Sequence, residues 1–194
     1  DIALPYKLNN CAAEPRRIPV HNNSRALGPS ASIHSTLTNL VTWMKVHTHG
    51  GLSNGTQLVS PENLQVMHTP HMLVPPSLPK ELFNNNELFS YGLGWFIDPY
   101  QGHTLCYHGG SIGGYSSIAS FVPQEDIAVV VLSNIRLKAM HRALMYKAVD
   151  CVLGIDPARS KNLSAEFLKL TQKNEQNLMD AQKQTISDRV ANAP

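Results

Sequence analysis

The stretch CYHGGSIGGYSS, residues 106–117, sets four glycines around one serine with a histidine near its head. Two chemistries fit these residue types. Residues 109–113 read G-x-S-x-G, the pattern of a nucleophile elbow, with the Ser111 hydroxyl as attacking group. The alternative makes His108-Gly109-Gly110 a length of backbone without side chains. A substrate could lie against it and be held by main-chain N–H donors.

An elbow works because a strand turns sharply into a helix whose N-terminus helps hold the oxyanion. Residues 104–108 are strand-like, so the upstream half is met. Downstream, residues 115–122 are again strand-like and lead through a turn to another strand. An elbow also needs a later histidine. His141 alone follows Ser111, on an amphipathic helix where it reads as a surface residue. Ser111 as nucleophile is therefore the lesser reading. A second pattern, Ser77-Leu78-Pro79-Lys80, fits S-x-x-K, whose two side chains meet only across one helical turn. Pro79 between them, with Pro75 and Pro76 just before, speaks against that helix.

Metal chemistry finds no support. His47 and His49 are two apart and would leave a helix on different sides. His68 and His71 are separated by Pro70, and no H-E-x-x-H occurs. The nine histidines read as surface and loop residues, and no metal or cofactor is expected.

The elements that must position this stretch can be read around it. The 194 residues suit one domain with a real core. The composition is 42% hydrophobic and 15% charged, with a net charge of +2 and no Lys/Arg cluster, so no nucleic-acid partner is expected. Three cysteines, Cys11, Cys106 and Cys151, allow at most one bridge. The longest apolar run, residues 127–132, is far too short for a membrane span. The N-terminus has neither an initiator methionine nor a signal-peptide pattern.

Residues 1–29, with Pro5, Pro15, Pro19 and Pro29, read as extended loop or short strand. A helix is expected over 35–49, with Leu37, Leu40, Val41 and Met44 on one face, capped by Ser35 or Thr36 and stopped by Gly50-Gly51. Ser60-Pro61-Glu62 opens a second helix, with Leu64 and Met67 inward, ended by Pro70. Residues 75–86 read as loop. Strands follow at 91–97, 104–108, 115–122 and 127–133, with turns at 98–102 and 123–126. Strands joined by such short turns must be antiparallel. A helix over 138–153 carries Met140, Leu144, Ala148 and Val152 at steps of four. Residues 160–193 read as a loosely held helical tail. The fold class is α+β, helices with a β-meander and a long helix packed across the sheet.

The ordered series 28–51, YGLGWFI, YHGGSIGGYSS and FVPQEDIAVVVLSN, then a long helix, resembles the C-terminal half of a serine β-lactamase-like hydrolase. That group includes class C β-lactamases, penicillin-binding proteins, DD-peptidases and related esterases. The resemblance covers most of residues 1–154 and implies their antiparallel sheet packed with helices. It divides the chain into a domain part at 1–157 and a tail or linker at 158–194.

Such enzymes take their nucleophile from S-x-x-K and a tyrosine from Y-x-N. A third motif, K-T-G or H-x-G, lies on a strand facing the serine. The resemblance makes His108-Gly109-Gly110 that third motif and the backbone N–H of Ser111 one oxyanion-hole donor. His108 would touch the substrate. No acceptable S-x-x-K and no Y-x-N occur, and Tyr6-Lys7-Leu8-Asn9 has one residue too many. In the family both lie upstream, so the expectation is a fragment or truncated product. It would be inactive alone, with one sheet edge and an apolar face exposed and the missing N-terminal half as its partner. The reaction implied is acyl-enzyme hydrolysis of an amide, β-lactam or ester, without cofactor, in an extracytoplasmic setting. The other class of function is a non-catalytic remnant or binding module using the same cleft wall.

Overall fold

The computed structural model describes residues 2–8, 14–20, 27–74, 89–135 and 140–157, with isolated helical positions between 169 and 185. The sequence-derived loop at 75–86, the Ser77–Lys80 pattern, Cys11 and most of the tail lie outside the described residues.

The chain begins with two short strands, β1 (Tyr6–Lys7) and β2 (Arg16–Arg17), and one helical turn, α1 (Gly28–Ala31). Helix α2 (Leu37–Thr48) starts where Thr36 Oγ1 accepts from the Asn39 N–H at 3.2 Å. A small ribbon follows, β3 (Leu52–Ser53) and β4 (Thr56–Gln57). Helix α3 (Pro61–Met67) is capped by Ser60 in the same way.

The main sheet is built from β5 (Met72–Val74), β6 (Phe89–Tyr91), β7 (Phe96–Tyr100), β8 (His103–Ile112), β9 (Tyr115–Val122) and β10 (Ile127–Ser133). Its order is β10-β9-β8-β7-β6-β5, antiparallel throughout, and α4 (Met140–Val152) closes the domain. The expected α+β class, an antiparallel sheet packed with helices, is the observed one.

Alternation along the strands divides the core in two. Leu105, Tyr107, Ile118 and Val122 face α4 and meet its Ala143, Met145, Tyr146 and Val149. Cys106 and Phe121 face the other way, with Trp95 and Ile97, and meet Met44 of α2. On the α4 side two buried tyrosines bond to two buried aspartates. The Tyr100 hydroxyl donates to Asp150 Oδ1 at 2.6 Å, and the Tyr146 hydroxyl donates to Asp98 Oδ2 at 2.9 Å. Burial, then the neighbouring carboxylates, push both phenols well above their usual pKa.

Several expectations need correction. Residues 98–102 are not a turn. Asp98 is buried in β7 and held by Tyr146, and only Gln101-Gly102 turns, both with positive φ. Pro99 fits the strand because it is opposite Thr104 at a position that exchanges no ladder bond with β8. Residues 91–97 form two strands rather than one, broken at 92–95. The buried face of α4 holds Ala143, Tyr146, Val149 and Asp150, while Leu144 and Val152 are exposed. On α2 the sheet covers only the C-terminal half: Met44, Val46 and His47 are buried, but Leu37 and Val41 stay 53% and 40% exposed. Three described residues, Met72 to Val74, form an edge strand between two prolines that sequence reading passed over.

The N-terminal ribbon is tied to the far ends of β8, β9 and β10. Tyr6 N–H donates to the Asn134 carbonyl at 2.8 Å, and the Tyr115 hydroxyl donates to the Ala3 carbonyl at 2.7 Å. Gly114 lies beneath it with φ +89°. A Cβ there would come within 2.8 Å of Ile18 Cδ1 and 2.9 Å of Pro5 Cβ.

Candidate functional site

His108, Gly109, Gly110 and Ser111 all lie in the second half of β8. The first half is paired to β7 from His103 to Tyr107, and β9 joins from Cys106 onward, so Cys106 and Tyr107 have a strand on both sides. The β7 ladder ends at the Phe96–Tyr107 pair, so from His108 onward β8 has, among the described residues, a strand neighbour only in β9.

The turn to β9 fixes which amides face that open side. Gly113 and Gly114 both take positive φ, 54° and 89°, as a two-residue type I′ turn requires. Ile112 and Tyr115 flank it and exchange both backbone bonds. Alternation then gives the amides of Gly110 and His108 to β9 and turns those of Gly109 and Ser111 away from it. These two N–H groups point past the end of β7, two residues apart on one edge.

Side chains alternate as well. His108 and Gly110 share the face of Cys106, the α2 face, while Gly109 and Ser111 look toward α4. A Cβ on Gly110 would meet only Ser117 Oγ, at 3.1 Å, so that face of the strand is open. Behind Gly109 a Cβ would meet the Ser117 carbonyl at 3.3 Å and His141 Nε2 at 3.8 Å. His141, half-buried at the start of α4, thus backs the strand rather than simply facing water.

The His108 ring is exposed but flanked by two aromatic rings. It stacks on Phe96 at 5.6 Å between centroids and meets Tyr91 edge-on at 6.0 Å. Lost hydration lowers its pKa, partly countered by a hydrogen bond with the Gly109 backbone, so the ring is neutral at pH 7. Sequence reading had not joined Tyr91, Phe96 or His141 to this strand.

Ser111 is not on an elbow. The chain leaves it through a hairpin turn into β9, with no helix to receive an oxyanion. Among the described residues no group of three or more His, Cys, Asp or Glu could hold a metal ion. No helix of the described residues is long and apolar enough to cross a membrane.

The surface reading of the histidines fails most fully at His47. His47 is 3% exposed, and its Nδ1 lies 3.0 Å from Nε2 of His68. His47 is core, not surface, and His68 is half-buried against it.

An antiparallel sheet between helices, with an open glycine strand at one end, is the arrangement of serine hydrolases of the β-lactamase type. The Beta-lactamase family model matches residues 5–153, and the chain belongs to that family. It is similar to "Unguisins hydrolase ungD'" of Aspergillus campestris (strain IBT 28561), 23% identical over 159 residues. That match covers 81% of this chain and 28% of the relative. Among solved structures it resembles the octameric penicillin-binding protein homologue from Pyrococcus abyssi, with a TM-score of 0.61 and 23% identity. There the match covers 82% of this chain and 32% of the other. The chain therefore spans less than a third of the length of each.

Proposed function

We propose that this chain, residues 1–157, forms the C-terminal part of a serine hydrolase domain that cleaves an amide, β-lactam or ester through an acyl-enzyme. It supplies the wall of the cleft and one oxyanion donor, not the nucleophile. The observation that carries this reading is the pair of amides at Gly109 and Ser111, directed to the open side of β8 beside the His108 ring. An acyl oxygen placed there would accept from Ser111 N–H while its charge develops. One such donor is commonly worth about 3–4 kcal/mol of barrier. Gly110 keeps the face clear for the acyl group, and His108 contacts the substrate. The serine, its lysine and the tyrosine come from outside these residues. The uncovered first half of α2 is consistent with a further part of the domain lying over it. Residues 158–194, most of them outside the described residues, are assigned to a tail or linker.

The experiment extends the chain by its upstream coding sequence and measures acylation by a fluorescent penicillin or fluorophosphonate. An in-frame S-x-x-K and Y-x-N, with labelling on that serine, is the expected result. Ser111→Pro then removes the outward N–H without breaking a ladder bond to β9. Acylation should slow by roughly 10²–10³-fold, whereas Ser111→Ala, which keeps the N–H, should not. A start codon near Asp1 with neither motif upstream would instead favour a binding module built on the same wall.

A further inference from the structure

The hydrolase reading makes no use of the histidine pair on the α2 face. His47 sits in the last turn of α2, and His68 is the C-cap of α3. Their rings share a hydrogen bond at 3.0 Å between His47 Nδ1 and His68 Nε2. His47 stacks on Phe121 at 4.9 Å and meets Trp43 and Trp95 edge-on at 4.7 and 4.8 Å. Its other nitrogen, Nε2, is buried with no hydrogen-bond partner among the described residues.

The bond demands that one facing nitrogen donate and the other accept, so it forms with both rings neutral or with one protonated and is lost when both are. Whichever tautomer is chosen, His47 Nε2 stays unpartnered. Protonating both rings sets N–H against N–H and places charge where nothing receives it. Among the described residues the titratable group that acts on His47 is His68, from the end of α3; the Cys106 thiol of β8 lies in the core cluster of Phe121, the ring on which His47 stacks. Burial pushes that thiol up to about 12, so it stays neutral in acid. The remaining walls, Trp43, Trp95, Phe121 and Met44, carry no charge.

The end of α3 also props the turn between β6 and β7. Leu93 N–H donates to the Met67 carbonyl at 3.0 Å, and a Cβ on Gly92 would meet that carbonyl oxygen and that of Thr69. Tyr91 and Phe96, the residues on either side of this turn, are the ones that flank His108.

We propose that the His47–His68 pair is an acid-released latch. In neutral solution it fastens α3 and the 92–95 turn over Phe121, and protonation of both rings unfastens them and loosens the side of the cleft that carries His108. The latch stands on the pair's own geometry; only its consequence at His108 rests on the proposed hydrolase.

The sign follows from burial, and the charge of His68 adds to it. The folded His47 pKa lies near 4, below the unfolded 6.5, so the opened state binds more protons. The latch is at full strength above pH 6.5 and weakens as pH falls toward 4. Burial lowers the His68 pKa as well.

Hydrogen exchange of this chain between pH 7 and 4, corrected for intrinsic rates, tests the proposal. Peptides covering 61–74 and 89–96 should lose protection on the order of 100-fold by pH 4, while α4, β9 and β10 keep theirs. Tryptophan emission should change with the same midpoint, since both tryptophans adjoin His47. His47→Phe should flatten the pH response. Should that variant fail to fold, His68→Gln keeps a neutral hydrogen-bonding group and should reduce the slope. Three results would overturn the proposal: protection that stays flat to pH 4, variants that respond as the parent does, or α4 opening with the same midpoint.

Discussion

The two halves of β8 differ in almost every respect. Leu105, Cys106 and Tyr107 are buried between a helix on each face, and Cys106 and Tyr107 are flanked by strands on both sides. His108 to Ile112 have one strand neighbour, two glycines and an open face. The first half is built for stability and the second for access. A strand anchored in a rigid core can present unpaired amides at its far end without moving, which preorganised charge stabilisation requires.

Four substitutions sharpen or break this division. The largest effect belongs to the core half. Leu105→Ala should cost about 3 kcal/mol in denaturant unfolding, as cavities at fully buried leucines do. A cost under 1 would mean that β8 is not the anchor. Next, Tyr146→Phe removes the donor to Asp98 and should cost about 2 kcal/mol, seen as a lower midpoint at unchanged m-value. Gly114→Ala forces a side chain into a left-handed turn beneath the N-terminal ribbon. A loss of about 1–2 kcal/mol is expected, with faster proteolysis of residues 2–20. Smallest is Gly110→Ala. Its new Cβ meets only a serine hydroxyl that can rotate, so the melting curve should shift by less than about 0.5 kcal/mol. A large shift there would place the second half of β8 in the core after all.

Much of this was legible beforehand. The bounds of β9 and of the valine-rich β10 follow from strand-forming runs set off by the turn at 123–126, and the structure reproduces them. The two-glycine turn also carries the parity that directs the Gly109 and Ser111 amides outward. Several of the misreadings share one cause, polar residues satisfied by distant partners. Asp98 beside Pro99 looks like a turn until Tyr146, 48 residues on, supplies its donor. The expected face of α4, Met140, Leu144, Ala148 and Val152, leaves out Asp150, which Tyr100 holds in the core. His47 and His68, 21 residues apart, look like two surface histidines until Phe121 brings them together. Hydropathy patterns report which residues avoid water, not which polar groups find each other.

The central claim is that Ser111 contributes its backbone and not its hydroxyl. Intact-mass measurement after incubating this chain with a fluorophosphonate tests it most directly. The expected result is the unmodified mass for both the parent chain and Ser111→Ala. A stoichiometric adduct on the parent, mapped to Ser111 and lost in Ser111→Ala, would contradict the claim and make this hairpin serine the nucleophile.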